Sequence, residues 1–307
     1  MASAKEIKRK INSIKNTGKI TKAMELISTV KMKKAQDKAL SKKDFVFEIL
    51  KVFFRIHNSL PNHPFFVGKE ETPRDKVLGI IITSNKGLCG GYNINVMKKV
   101  SNYIKENLGE NMDFITMGKR GAKFVAKTGH NLIADYSSIF SDHIEPVMMK
   151  TVSKDLRDEY LSGKYKKVVI FYNHYINTIK QVPTMRPFLP IIPEEIKDYL
   201  LTIVGEDIDL EKELLIGSDF SEYKIEPNKE EILDEIIPLI LDLMFYEIIL
   251  EAKASEHSAR MVAMKSAKDN ASKIAGALTL KYNKARQAMI TKEVSEITGG
   301  VEALKDI

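Results

Sequence analysis

The sequence predicts an α/β fold: an antiparallel coiled coil of long N- and C-terminal helices with an inserted Rossmann-like α/β domain. Three observations predict it. From about residue 3 to 57 there is no proline and a single glycine, Gly18, while apolar side chains recur at steps of three and four. Residues 76 to about 190 alternate β-branched runs with amphipathic stretches, which implies a mostly parallel sheet with helices on its faces. From Asn228 the helical pattern returns and persists to Gly299-Gly300. Two helices too long for a compact domain, at opposite ends of one chain, can satisfy their apolar seams against each other.

The first helix carries Ile7, Ile11, Ile14, Ile20, Met24, Ile27 and Val30, then Val46, Phe53 and Ile56. It reads as one helix of roughly 80 Å at about 1.5 Å per residue, ended by the prolines of LPNHP at 60–64. KVLGIIIT (76–83) reads as a buried strand, GYNINVMKKVSNYIKENL (91–108) as a helix, MDFITM (112–117) as a strand and GKRGAKFVAKTG (118–129) as a helix. NLIADYS is a short strand, 145–162 a helix and KKVVIFYN (166–173) an apolar strand. The prolines of TIKQVPTMRPF (178–188) make that segment an edge strand. EEIKDYLL reads as a short helix and SEYKIEP as a strand.

Asn228 with Glu231 behind Pro227 has the spacing of an N-cap, Pro238 is expected to kink the last helix, and Gly299-Gly300 to stop it. Ala259, Ala263, Ala267, Ala271 and Ala275 form a row of small side chains along it, an avenue for close helix approach. The expected division is 1–58 for the first coiled-coil helix, 75–225 for the α/β domain and 226–307 for the second.

Charge is uneven. Of the net +7, residues 1–43 hold 13 Lys/Arg against 3 Asp/Glu, so the rest of the chain is slightly acidic. Such a segment suits nucleic acid, an anionic membrane or an acidic protein surface. Its lysines are not interleaved with aromatics and arginine is nearly absent, which favours a protein-facing cationic stripe or a solvated face over a nucleic-acid arm. Neither a secretory signal nor a lipid anchor is expected from MASAKEIKRKINSIK, and IIPLILDLMFYEIIL (236–250) is too short and too charged to span a bilayer. The six histidines offer no pair at metal-binding helix spacing, and no cofactor is expected.

The one cysteine sits in SNKGLCGGYN (84–93), after the first strand. A thiol in G-x-C-x-G before a helix raises the reading of a cysteine hydrolase, with a helix N-terminus lowering the thiol pKa. An elbow nucleophile follows its strand immediately, however, and Thr83 to Lys86 intervene here. Neither GxxxxGK[ST] nor GxGxxG is present for phosphate binding; MGKRGAKF (117–124) reads as a turn beneath the sheet. Met24, Met32, Met261, Met264 and Met289 read as seam residues.

EIKRKINSIKNTGKITKAMELISTVKMKKAQ (6–36), SNKGLCGGYN, ASEHSARMVAMKSAKDNASKI (254–274) and LTLKYNKARQAMITKEVSEITGGVEAL (278–304) together resemble the gamma-subunit family of F-type ATP synthases. The resemblance implies a non-catalytic central-stalk rotor: the coiled coil in the bore of the alpha/beta hexamer, the α/β domain with epsilon on the c-ring. Proton flow turns ring and stalk, and successive beta subunits cycle through states of differing affinity. It also implies that Arg286, Gln287 and Thr291 meet a loop of beta, with Met24 as the facing position on the first helix. Lys19 and Lys22 would face acidic segments of beta, and the loop of Gly87, Leu88, Cys89, Gly90 and Gly91 would lie beside the shaft. A place on the cytoplasmic face of a bacterial inner membrane follows. The chain departs from the family pattern in having Gly18 for a bulkier polar residue and a longer stretch at 190–222.

Overall fold

The computed structural model describes residues 4–41, 43–57, 62–67, 76–141, 144–193, 196, 226 and 228–305. The helix expected at EEIKDYLL and the strand expected at SEYKIEP lie, but for Ile196 and Glu226, outside those residues. In chain order the elements are α1 (Ala4–Leu40), α2 (Lys43–Ile56), α3 (Pro64–Val67), β1 (Lys76–Ile82), α4 (Tyr92–Glu106), β2 (Asn111–Met117), α5 (Lys119–Thr128), β3 (Asn131–Asp135), α6 (Pro146–Leu161), β4 (Tyr165–Tyr175), β5 (Gln181–Leu189) and α7 (Lys229–Lys305). The chain divides into two compact units, one of residues 1–28 with 260–307 and one of residues 29–259.

The larger unit is built on a five-stranded sheet of order β3-β2-β1-β4-β5. β1 pairs in parallel with β2 on one side and β4 on the other, β3 is parallel to β2, and β5 is the antiparallel edge. The side-chain period of two splits β1 between two cores. Leu78, Ile80 and Ile82 join a cluster with Phe53 of α2, Leu156 of α6 and Phe245 of α7. Val77 and Ile81 join Val96 and Val100 of α4 and Val125 of α5 on the opposite face. With both faces covered, the strands can be continuously apolar, which is why KVLGIII lacks alternation.

The first helix is not one helix. α1 ends at Leu40 and α2 starts at Lys43; at the break Ser41 donates its hydroxyl to the Lys38 carbonyl at 3.0 Å. The two also bury different kinds of residue. α2 places Val46, Leu50, Phe53 and Phe54 in the core beneath the sheet, whereas Ile20, Leu26, Ile27 and Val30 of α1 are exposed.

α7 begins as expected: the Glu231 amide donates to Asn228 Oδ1 at 2.9 Å, and Asn228 Nδ2 donates back to Glu231 at 2.6 Å, a reciprocal cap. The helix continues across Pro238, whose carbonyl accepts from Arg157 Nη1 at 3.3 Å. It also runs through Gly299 and Gly300, which were expected to stop it. Both glycines are helical and exposed with no atom near where a Cβ would stand, so no turn forms for them to terminate.

In the smaller unit the two helices run antiparallel. Glu25 receives Lys268 Nζ at 2.9 Å, and a Cβ at Gly18 would lie 3.6 Å from Ala271 Cβ, so position falls along α1 as it rises along α7. The seam on α1 is Ala4, Ile7, Ile11, Ile14, Gly18, Thr21, Glu25 and Ser28, all buried or half-buried. On α7 it is Met261, Met264, Lys268, Ala271, Ala275, Leu278, Tyr282 and Ala285. Both are regular alternations of three and four, the repeat of a left-handed coiled coil. The aliphatic seam expected through Ile20 and Ile27 is therefore incorrect, and of the expected alanine row only Ala271 and Ala275 are deeply buried. A row at steps of four drifts around a helix by about 40° per step, so it cannot follow one partner for long.

Candidate functional site

The loop after β1 is held by its own polar side chains. Thr83 donates its hydroxyl to the Gly118 carbonyl at 3.0 Å and accepts the Gly121 amide at 2.8 Å. Gly118 has φ +114°, and a Cβ there would stand 2.0 Å from the Thr83 carbonyl oxygen, so only glycine allows the ends of β1 and β2 to meet. Asn85 Nδ2 donates to the carbonyls of Ser137 and Phe140 at 2.9 and 2.7 Å, and its Oδ1 accepts the Lys119 amide at 3.0 Å.

Cys89 is 2% exposed. Its Sγ accepts from Asn93 Nδ2 at 3.2 Å and lies 3.6 Å from the Ser84 hydroxyl. The histidines that a hydrolase would enlist are used elsewhere: His130 stands edge-on to Phe114 and His174 lies 2.5 Å from Glu251. His143 lies outside the described residues. The geometry makes Cys89 a small packing residue. Leu88, at φ +63° and 64% exposed, is what the loop presents outward.

In a sheet of this order a ligand would enter where β1 and β4 diverge, beyond their carboxyl ends. Here that crevice is filled by the chain. Tyr92 donates its hydroxyl to the Ala252 carbonyl of α7 at 3.0 Å, and its own carbonyl accepts Asn173 Nδ2 from β4 at 2.9 Å. Among the described residues no group of three or more His, Cys, Asp or Glu could hold a metal ion, and no helix is long and apolar enough to cross a membrane.

The paired helices offer the other candidate surface. Thr21 and Ser28 are buried in the seam at 8% and 2% exposure, while the larger Ile20, Leu26 and Ile27 face outward at 54–61%. Thr21 bonds its hydroxyl to the Gly18 carbonyl at 3.0 Å, so its burial leaves no orphan donor. Beyond Ala285 every α7 residue with a described side chain is exposed, Met289, Ile290, Val294 and Ile297 among them.

A family model described as ATP synthase matches residues 3–304. The ATP synthase gamma chain of Nitrosomonas europaea is 37% identical over 310 residues, covering 99% of this chain and 100% of that one. That of Cytophaga hutchinsonii is 35% identical over 311 residues, covering 100% of both. The chain belongs to the ATP synthase gamma family. Two solved structures share the fold. One is a chain of the Euglena gracilis mitochondrial ATP synthase (TM-score 0.63, 17% identity, 98% of this chain and 94% of that one). The other comes from the Tetrahymena thermophila mitochondrial ATP synthase central stalk and c-ring (TM-score 0.53, 21% identity, 81% and 99%).

In this gamma-family chain the residues singled out from sequence fall in three places. Lys19 and Lys22 are exposed on α1, and Met24 is half-buried beside the Glu25–Lys268 pair. Arg286, Gln287 and Thr291 are exposed on α7, about five to six turns beyond Lys268, or ~27–35 Å along the helix. Met24 therefore does not face them. The loop from Gly87 to Gly91 belongs to the larger unit. Sequence reading missed Ile20, Ile27 and Val30 as surface residues because it assigned these aliphatics to the seam. The signal was there in the strict three-four spacing, provided Gly18, Thr21 and Ser28 are admitted as seam residues.

Proposed function

We propose that this chain is the central-stalk rotor of an F-type ATP synthase, coupling c-ring rotation driven by proton flow to cycling of the catalytic beta subunits, and itself non-catalytic. The observation that carries this reading is the inverted burial along one stretch of the paired helices, where Gly18, Thr21, Glu25 and Ser28 of α1 turn inward and Ile20, Leu26 and Ile27 turn outward. An exposed apolar face of this kind is made to be enclosed by partners. The alpha/beta hexamer is the enclosing partner, and the exposed Lys19 and Lys22 of α1 add charge complementarity to acidic segments of beta.

In this reading residues 1–58 and 226–307 act as the shaft and residues 75–225 as the domain that meets epsilon and the c-ring. The complex is peripheral on the cytoplasmic face of a bacterial inner membrane. Arg286, Gln287 and Thr291 contact a beta loop at one level of the shaft, and Met24, Lys19 and Lys22 contact beta at another. Leu88, at the tip of the Gly87–Gly91 loop, adds a contact from the α/β domain. The shaft is asymmetric, so each orientation biases a different beta subunit by differential contact energy, which requires no catalytic group on this chain.

Reconstitution with alpha and beta subunits tests the reading. Assembly and a rise in their ATPase activity are expected, and failure of both overturns it. Replacing Arg286, Gln287 and Thr291 together by alanine should lower that ATPase activity while leaving assembly intact. ATP hydrolysis by the isolated chain would contradict the non-catalytic assignment.

A further inference from the structure

Lys31, Lys34 and Lys38 recur on α1 at steps of three and four and so share one helix face. They line one cavity of ≈ 40 Å³ together with Lys253 and His257, which stand a turn apart on α7. That volume admits about three waters, or one tetrahedral oxyanion in their place. Ala35 and Leu250 supply apolar wall, which strengthens the field of the surrounding cations.

No acidic side chain lines the cavity among the described residues. Lys253 is already paired with the neighbouring carboxylate of Glu256 at 3.2 Å, both side chains at most 5% exposed, and its Nζ lies 3.7 Å from the centroid of the Phe140 ring, so the charge offered to an anion is chiefly that of Lys34 and Lys38 on α1. Lys38 donates to the Ile144 carbonyl at 3.1 Å, which holds its ammonium at the cavity rather than in open water. Like charges at this helix spacing repel, and an anion among them reverses the sign. A lysine face meant for a flat partner surface would need only exposed side chains. Here Lys253 and His257 are buried, at 4% and 3% exposure, and the site is concave.

We propose that this cavity is an oxyanion site that takes a phosphate group, as inorganic phosphate or as the terminal group of a nucleotide. It lies within the larger unit, uses none of the residues assigned to the beta contacts, and does not depend on the stalk reading.

Calorimetric titration of the full chain with inorganic phosphate at low ionic strength tests it. Saturable binding is expected, weakened about tenfold or more by Lys34→Gln with Lys38→Gln, as for loss of charge-assisted hydrogen bonds. It should be unchanged by Lys8→Gln with Lys15→Gln elsewhere on α1, and largely kept by Lys38→Arg. A parallel titration with ATP separates the sources. Tighter ATP binding that phosphate displaces identifies a nucleotide phosphate; phosphate binding that ATP does not displace identifies the free ion. Three results overturn the proposal: no saturable binding of either probe, equal loss in Lys38→Arg and the glutamine pair, or binding of an acidic peptide through these lysines without binding of phosphate or ATP.

Discussion

In the sheet, Leu78, Ile80, Phe114 and Phe171 are completely buried, whereas the buried positions of the paired helices include Thr21, Ser28, Ala271 and Ala275. The first set is held by large apolar area, worth about 1.5–3 kcal/mol for each fully buried large side chain. The second set contributes little area per residue and gains instead from close helix approach. Where the pair is held in the second way, around Gly18 to Ser28, the larger Ile20, Leu26 and Ile27 are left over for other surfaces. That stretch trades some stability of the isolated pair for an apolar exterior, and the sheet unit has no such surplus along β1 or β4.

The contrast can be broken most strongly from the sheet side. Phe171→Ala should cost about 3–5 kcal/mol, read as loss of amide-exchange protection in β1 and β4, with protection of the α1 amides near Ile11 retained. Gly18→Leu should force the paired helices apart at a cost of about 1–3 kcal/mol, seen as faster exchange in α1 but not in the sheet. Equal effects of both changes on both units would remove the distinction.

A third change reads an ionisable group in the sheet. Burial alone would raise the pKa of Asp113, but hydrogen bonds from Asn131, Tyr165 and Lys76, at 3.1, 2.9 and 3.2 Å, hold it below its ordinary value. Because the folded value is depressed, its contribution to stability is present above the unfolded value near pH ~4 and is lost as pH falls through the folded one. Asp113→Asn should cost about 1–2 kcal/mol at neutral pH and flatten the acid limb of a urea-denaturation series.

Smaller effects sharpen the same comparison. Gly18→Ala should stabilise the helix pair by about 0.5–1 kcal/mol, because glycine is a poor helix residue and the added methyl meets Ala271 at ordinary contact distance. Cys89→Ala should change stability by about 1 kcal/mol or less and leave coupled ATPase activity of a reconstituted complex largely intact. Loss of that activity would return the thiol to the list of functional groups.

Much of this was legible in the chain. The apolar runs at Val77–Ile82 and Val168–Tyr172, the edge prolines Pro183 and Pro187, and the Asn228–Glu231 cap each carry local chemistry that dictates their element, and each appears where the residues place it. The break at Ser41 and the uninterrupted helix across Gly299 and Gly300 were not legible, because local propensity does not fix helix ends where packing or its absence decides. The seam was misread for a related reason. Hydrophobicity marks what wants to be buried, and in these helices Ile20 and Ile27 are not buried within the chain.

By itself, then, the sequence determined the order and type of the main elements, the antiparallel pairing of the terminal helices and the family resemblance, since these rest on local patterns and motif order. Only the tertiary structure decided which face of α1 turns inward, that Met24 and Arg286 stand about five turns apart, and that Lys31, Lys34 and Lys38 meet Lys253 and His257 around one cavity. Each of these depends on the register between segments far apart in the chain. Register is set by the sum of many close contacts, and no single stretch of sequence records it.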